Sequence, residues 1–282
     1  MKVDAVYVFA RYELKRALAR KKVLAFALFT LLIDTAPYSA LASTGASFIP
    51  RNEYPYLWVA GVFLPQSLFI QFAGVLIAAG AMSEEYEQGT AELLLSKPVS
   101  RSDYFIGKFL GGYSLLLSII VLNSAAVLTV TTGIFGAQQN ISQLPNIVVL
   151  QAYSSLLFYS FAFMMGELIR RSSLSYIIAS AVFFASQLIG VYLSLIYNLT
   201  GEPLYKSISV YLPTSAVNSL PLEYARLNLP SGAQELLLIA SPPGIIEHST
   251  VFSSLVILLY TCVALIVSHS YFNKVDIAKR VS

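Results

Sequence analysis

Apolar residues fall into six long blocks separated by polar stretches. The blocks are roughly Val23–Ala42, Leu57–Met82, Phe105–Gly133, Ile147–Leu168, Leu174–Asn198 and Thr250–Tyr271. A helix needs about 20 mostly apolar residues to cross the hydrocarbon core of a bilayer. None of the blocks shows the alternation over about ten residues that marks an outer-membrane barrel strand. The pattern predicts an all-α integral membrane protein, with residues 1–282 forming one transmembrane domain of six spans. Residues 1–22 place Val6, Phe9, Leu14, Ala17 and Leu18 near one face of a helix that also carries Arg11, Lys15 and Arg16. That suits an amphipathic helix at the membrane surface, and a plain basic anchor would use the same residues. The long segment 199–249 carries Pro203, Pro213, Pro221 and Pro230 around the apolar pieces Ser215–Leu220 and Ala233–Ala240, and ends with Pro242-Pro243-Gly244. It predicts short helices on the outer side, and residues 272–282 form a tail.

Composition agrees with the pattern. The chain is 56% hydrophobic and 12% charged, with a mean hydropathy of +0.68. A soluble domain has about 25% charged residues. The placement of charge orients the bundle. Fifteen Lys and Arg fall in residues 1–22, the segment after span two with the start of span three, the loop after span four and the tail. Only Arg51, Lys206 and Arg226 fall on the other side. Basic residues concentrate in cytoplasmic loops, so both termini are expected in the cytoplasm and the protein in the cell membrane. The Asn140-Ile-Ser and Asn198-Leu-Thr sequons then lie outside. Span one ends in Ala40-Leu41-Ala42, which resembles a signal-peptide cleavage site. Its long basic lead and Asp34 within the run point to an uncleaved span. Cys262 is the single cysteine, so no intramolecular disulfide exists. The two histidines, His248 and His269, form no metal-ligand motif, and His248 is expected to be interfacial. No nucleic-acid partner is expected.

One stretch breaks the charge rule. Residues 82–101 read MSEEYEQGTAELLLSKPVSR, with Glu84, Glu85, Glu87 and Glu92 where the cytoplasmic side should be basic. Its local grammar is ordered. Gly89 can end the helix leaving the membrane by taking a positive φ. Thr90 is a fair N-cap for a short helix over Ala91–Ser96, with Glu92 in its first turn. Pro98 closes that helix and biases Lys97 away from helical backbone. Ser100 and Asp103 make the S-x-x-D pattern that starts span three. Leu93, Leu94 and Leu95 are then expected on a cytoplasmic surface, where they need a partner. The neighbouring carboxylates disfavour an anionic lipid surface, and a protein with a basic-rimmed groove fits better.

Across residues 84–112, EEYEQGTAELLLSKPVSRSDYFIGKFLGG resembles the signature of the type-2 ABC exporter permeases, the transmembrane subunits of type V ABC transporters. The order matches that family: an acidic run, Gly-Thr, a leucine-rich turn, Ser-x-Pro, Arg and then Gly-Lys. The resemblance implies that residues 83–103 are the coupling segment. It implies an ATPase-docking set of Glu84, Glu85, Glu87, Gly89, Thr90, Glu92, Leu93, Leu94, Leu95, Pro98 and Arg101. It also implies an N-terminal elbow helix, short outer helices that gate the exit, and lipid around the spans. Two ABC ATPase subunits and a second copy of the chain, or a homologous permease, would complete the complex. No phosphate-binding loop occurs, because Gly107-Lys108 lacks the earlier glycine and Phe109 follows it. No cofactor is expected on this chain, and ATP and Mg belong to the partner ATPase. An amphipathic substrate, such as a peptide, drug or lipid-like molecule, would move out of the cell. Two other readings weaken on the residues. Glu84-Glu85 also resembles the EExxxR of intramembrane proteases, but Gly89 stands where Arg is needed and the histidine motifs are missing. A secondary transporter would be expected to show paired intramembrane charges or an inverted repeat.

Within the spans, Asp34 is the one acid near mid-bilayer. Such a residue costs about 2.5–3.5 kcal/mol on insertion scales, so it should face the bundle interior or a wet cavity. Asp34 and Asn123 are candidates for a substrate path; the alternatives are a protonated or locally bonded Asp34 and a packing role for Asn123. Gln66, Gln71, Gln151 and Gln187 are expected to pack. Gly107, Gly111, Ser114 and Ser118 form a small-residue face on span three, against either this chain or a partner subunit. Pro37 and Pro65 predict bends. Glu167 with Arg170 and Arg171 predicts an ion pair at a helix end.

Overall fold

The computed structural model describes residues 3–43, 49–96, 99–240 and 249–274. Among these every regular element is helical, and six helices are long and apolar enough to cross a membrane. Helix α1 (Val3–Ala19) ends one residue before α2 (Lys21–Ser43), the first span. A 3₁₀ turn (Arg51–Tyr56) leads into α3 (Leu57–Phe63), a π turn (Gln66–Ile70) and α4 (Gln71–Gln88), which together make the second span. The short α5 (Thr90–Leu95) precedes α6 (Arg101–Phe135). Then come α7 (Leu144–Ile169), α8 (Ser172–Thr200) and three short helices, α9 (Pro203–Ser209), α10 (Pro213–Asn228) and α11 (Ser231–Ala240), before α12 (Thr250–Lys274).

The bend predicted at Pro65 is a π turn. Proline has no N–H and cannot continue the i→i−4 ladder. The amides of Phe69 and Ile70 both donate to the Pro65 carbonyl, at 2.9 and 3.0 Å. Pro37 lies inside α2, which continues to Ser43. The outer pieces expected at 215–220 and 233–240 are parts of α10 and α11. Lys97, Pro98, the Pro242-Pro243-Gly244 turn, His248 and residues 275–282 lie outside the described residues.

Helix α4 is the centre of the bundle, packed by α6, α7 and α8. Its Val75, Ile77, Ala78, Ala79 and Ala81 have no exposed surface. The outward faces are apolar, as at Leu32 of α2, Leu188 of α8 and Ile266 of α12, while Ser154, Ser160, Ser253 and Ser268 are buried. This inversion suits a lipid surround, where small and polar residues hold helices together because tails match an apolar face. The two glycines of the small-residue row of α6, Gly107 and Gly111, face this chain's own α1, while Ser118 is exposed. A Cβ on Gly107 would strike Phe9, and one on Gly111 would strike the Ala10 carbonyl. That close approach lays α1 along α6.

Candidate functional site

At the end of the bundle that holds α1, the last turn of α4 sends consecutive side chains to different helices. Glu84 accepts from Lys22 Nζ at 2.9 Å and the Tyr176 hydroxyl at 2.8 Å, and its Oε2 lies 2.9 Å from Arg20 Nε in an ion pair. Glu85, with no exposed surface, accepts from the Tyr104 hydroxyl and Lys108 Nζ, and its Oε1 lies 3.3 Å from Arg16 Nη1. Tyr86 donates its hydroxyl to Glu167 at 2.6 Å. Glu87 accepts from the backbone N–H and hydroxyl of Ser172, the first residue of α8.

Helix α1 supplies the other half of this network. Val6, Phe9, Glu13 and Ala17 form its buried stripe. Glu13 is fully buried and accepts from Lys108 Nζ at 2.6 Å, while Arg16 Nε lies at 3.2 Å and Arg20 Nη2 at 3.1 Å. Arg16 and Arg20 also donate to the carbonyls of Ile77, Gly80 and Ala81 on α4. Burial alone would lower the pKa of the Arg16 guanidinium, but Glu13, Glu85 and Glu84 raise it above its usual value. Burial and Glu85 push the Tyr12 hydroxyl up. Three carboxylates thus meet four cations, Arg16, Arg20, Lys22 and Lys108, in a largely dry site. Breaking a buried pair by removing one member typically costs about 3–5 kcal/mol.

The carboxylates of Glu84 and Glu85 therefore point into the protein. Beyond them, Gly89 takes φ +68° and closes α4, as its position predicted. Thr90 is the first residue of α5 rather than its cap, and its hydroxyl reaches back to the Glu85 carbonyl at 3.4 Å. The leucines divide. Successive helical residues are about 100° apart, so three in a row cannot share one face. Leu93 is 70% exposed, whereas Leu94 and Leu95 are half-buried against the core. Glu92 is half-buried beside them. Ser100 caps α6 by accepting from the Asp103 N–H at 3.0 Å. Arg101 is turned to α12, donating to the carbonyls of Phe272 and Asn273 at 3.1 and 3.2 Å. Glu167 pairs with Arg170 at 3.0 Å.

The other candidates lie deeper. Thr30, Asp34 and Tyr38 make one buried stripe on α2. Asn123 donates to the Thr30 hydroxyl at 3.3 Å, and the Tyr38 hydroxyl donates to the Leu57 carbonyl at 2.8 Å. Asp34 is 1% exposed, and neither carboxyl oxygen has a hydrogen-bond partner among the described residues. Asn123 also lines a cavity of about 10 Å³ with Gln151, Ser124 and Pro65, about the space of one water.

The profile described as ABC-2 family transporter protein matches residues 7–277. The chain belongs to that family. It is a permease subunit of an ABC transporter, a transport component and not itself a catalyst. This ABC-2 permease places its acidic run at the junction of its helices, and the family carries a partnership with an ABC ATPase and a dimeric arrangement. No curated protein matches the chain. Sequence reasoning passed over Glu13, Arg16, Tyr104, Lys108 and Ser172 as members of the site. For Glu13 a signal existed: it falls in the stripe Val6, Phe9, Glu13, Ala17, an acid on the apolar face of a basic helix.

Proposed function

We propose that this permease is half of the membrane part of an ATP-driven exporter in the cell membrane. Both termini face the cytoplasm, as the fifteen-to-three distribution of Lys and Arg supports. Two copies, or one copy and a homologous permease, join two ABC ATPase subunits that hold ATP and Mg. Their closure moves residues 83–103, and the bundle passes an amphipathic substrate outward. The observation that carries this reading is α5: a short helix at the basic end, presenting Leu93 at 70% exposure with Glu92 beside it. With Glu92 beside it, an exposed Leu93 suits a basic-rimmed protein groove better than an anionic lipid surface. The docking face is narrower than the sequence suggested, resting on Glu92 and Leu93, with Glu84 and Glu85 holding the helix from behind. The polar stripe of Thr30, Asp34 and Asn123 is the proposed contact for substrate.

Capture of the ABC ATPase by the purified permease tests the reading. Leu93→Arg is expected to lower the captured ATPase by about tenfold, roughly 1.4 kcal/mol. Leu188→Ser, on the lipid-facing side, is expected to leave it unchanged. Undiminished capture by Leu93→Arg would overturn the docking face.

A further inference from the structure

Glu87 and Arg101 flank the coupling segment, and each has the wrong sign for its own helix. Glu87 stands in the last turn of α4, where the partial negative charge of the helix end repels a carboxylate. Arg101 is the first residue of α6, where the positive end disfavours a guanidinium. Glu87 has the right sign for the helix it reaches, and Arg101 reaches backbone acceptors on another helix. The Glu87 carboxylate takes the N–H and hydroxyl of Ser172 at the N-terminus of α8. The residue in the cap position of α8, Arg171, makes no side-chain cap of its own. The Arg101 guanidinium takes the Phe272 and Asn273 carbonyls in the last turn of α12. The Ser172 N–H is one of the groups that a helix start leaves without an intrahelical partner.

We propose that Glu87 and Arg101 are positioning residues, Glu87 capping α8 in trans and Arg101 tying α12 through its backbone carbonyls, making spans five and six followers of the coupling helix. Aromatic packing supports the second tie. Phe272 stacks on Tyr104 at 5.9 Å and lies 5.8 Å from Phe105, while His269 lies 5.0 Å from Phe105. The first turns of α6 and the end of α12 thus form one packed unit. Spans five and six also bracket the short helices at the far end. Helix α9 packs on α8 and α10 on α12, and Ser186 of α8 meets Thr214 of α10 at 3.0 Å. A displacement of α5 is passed through the two ties to the helices at the far end. This relay rests on the proposed docking of an ATPase at α5.

The test uses the permease–ATPase complex with Cys262→Ala and one added cysteine, at Ser96, Ser173 or Lys274. Maleimide labelling rates are compared without nucleotide and with ATP plus vanadate. In the wild type all three positions are expected to change by about fivefold or more, the lower range of allosteric coupling. Arg101→Ala is expected to abolish the change at Lys274→Cys while keeping it at Ser96→Cys, and Arg101→Lys to restore it. Glu87→Ala is expected to abolish the change at Ser173→Cys, and Glu87→Gln, which keeps an acceptor, to retain part of it. Glu87 and Arg101 give separate arms, so misfolding of one variant leaves the other decisive. A full response at Lys274→Cys in Arg101→Ala, or at Ser173→Cys in Glu87→Ala, would overturn the relay alone. No response at Ser96→Cys in the wild type would overturn the docking reading, and the relay with it.

Discussion

Glu85 and Asp34 are both buried acids with opposite circumstances. Glu85 is surrounded by Tyr104, Lys108 and Arg16, so Glu85→Gln leaves Lys108 with half its anionic partners. It is expected to cost about 3–5 kcal/mol, read by thermal unfolding in detergent micelles, and Glu85→Leu with Lys108→Met to cost less than the single changes predict. A single substitution that leaves unfolding untouched would refute this account of the network. Among the described residues Asp34 has no hydrogen-bond partner to lose. Asp34→Asn should fold and assemble normally but alter substrate-stimulated ATPase activity in the complex; wild-type stimulation would remove it from the path. Asp34 was legible in the sequence because it interrupts an apolar run. Glu13 was obscured because Arg11, Lys15 and Arg16 surround it in the chain, and its partner Lys108 is 95 residues away.

The helical class was legible, because hydrophobic length dominates in a membrane, and six helices among the described residues are long and apolar enough to cross one. The exit of α4 was legible too, since Gly89 tolerates a backbone that other residues resist. Gly89→Ala is expected to cost more than about 1 kcal/mol for that reason, measured by the same unfolding assay. Details governed by direction were not legible. Three consecutive leucines look like a patch in a line of text, but the turn of α5 half-buries two of them. The partner of the α6 glycine row was equally open, because small residues permit close packing without naming the neighbour. With α1 there, Gly107→Leu should expel it. Protease cleavage within residues 3–19 should then rise sharply over the wild type, whereas unchanged protection would mean that α1 does not depend on that contact.

At the scale of the whole molecule, the charge rule and its exception have separate physical roles. Basic residues concentrated in one set of loops are expected to orient the bundle. The acidic run gathers four of them, with Tyr104, Tyr176 and Ser172, into a junction of α1, α2, α4, α6 and α8, and Tyr86 adds α7 through Glu167. Carboxylates placed among such donors need no water, so they can stand at the membrane edge without facing it. No reading of the linear chain could assign them, because each partner arrives from a distant segment. The separation of holding from docking is the central claim, and carboxyl footprinting with a carbodiimide tests it directly. In the free permease Glu13 and Glu85 should resist modification while Glu92 reacts, and adding the ABC ATPase should protect Glu92 and leave Glu85 as it was. Glu85 that reacts freely and becomes protected only when the ATPase binds would contradict the account.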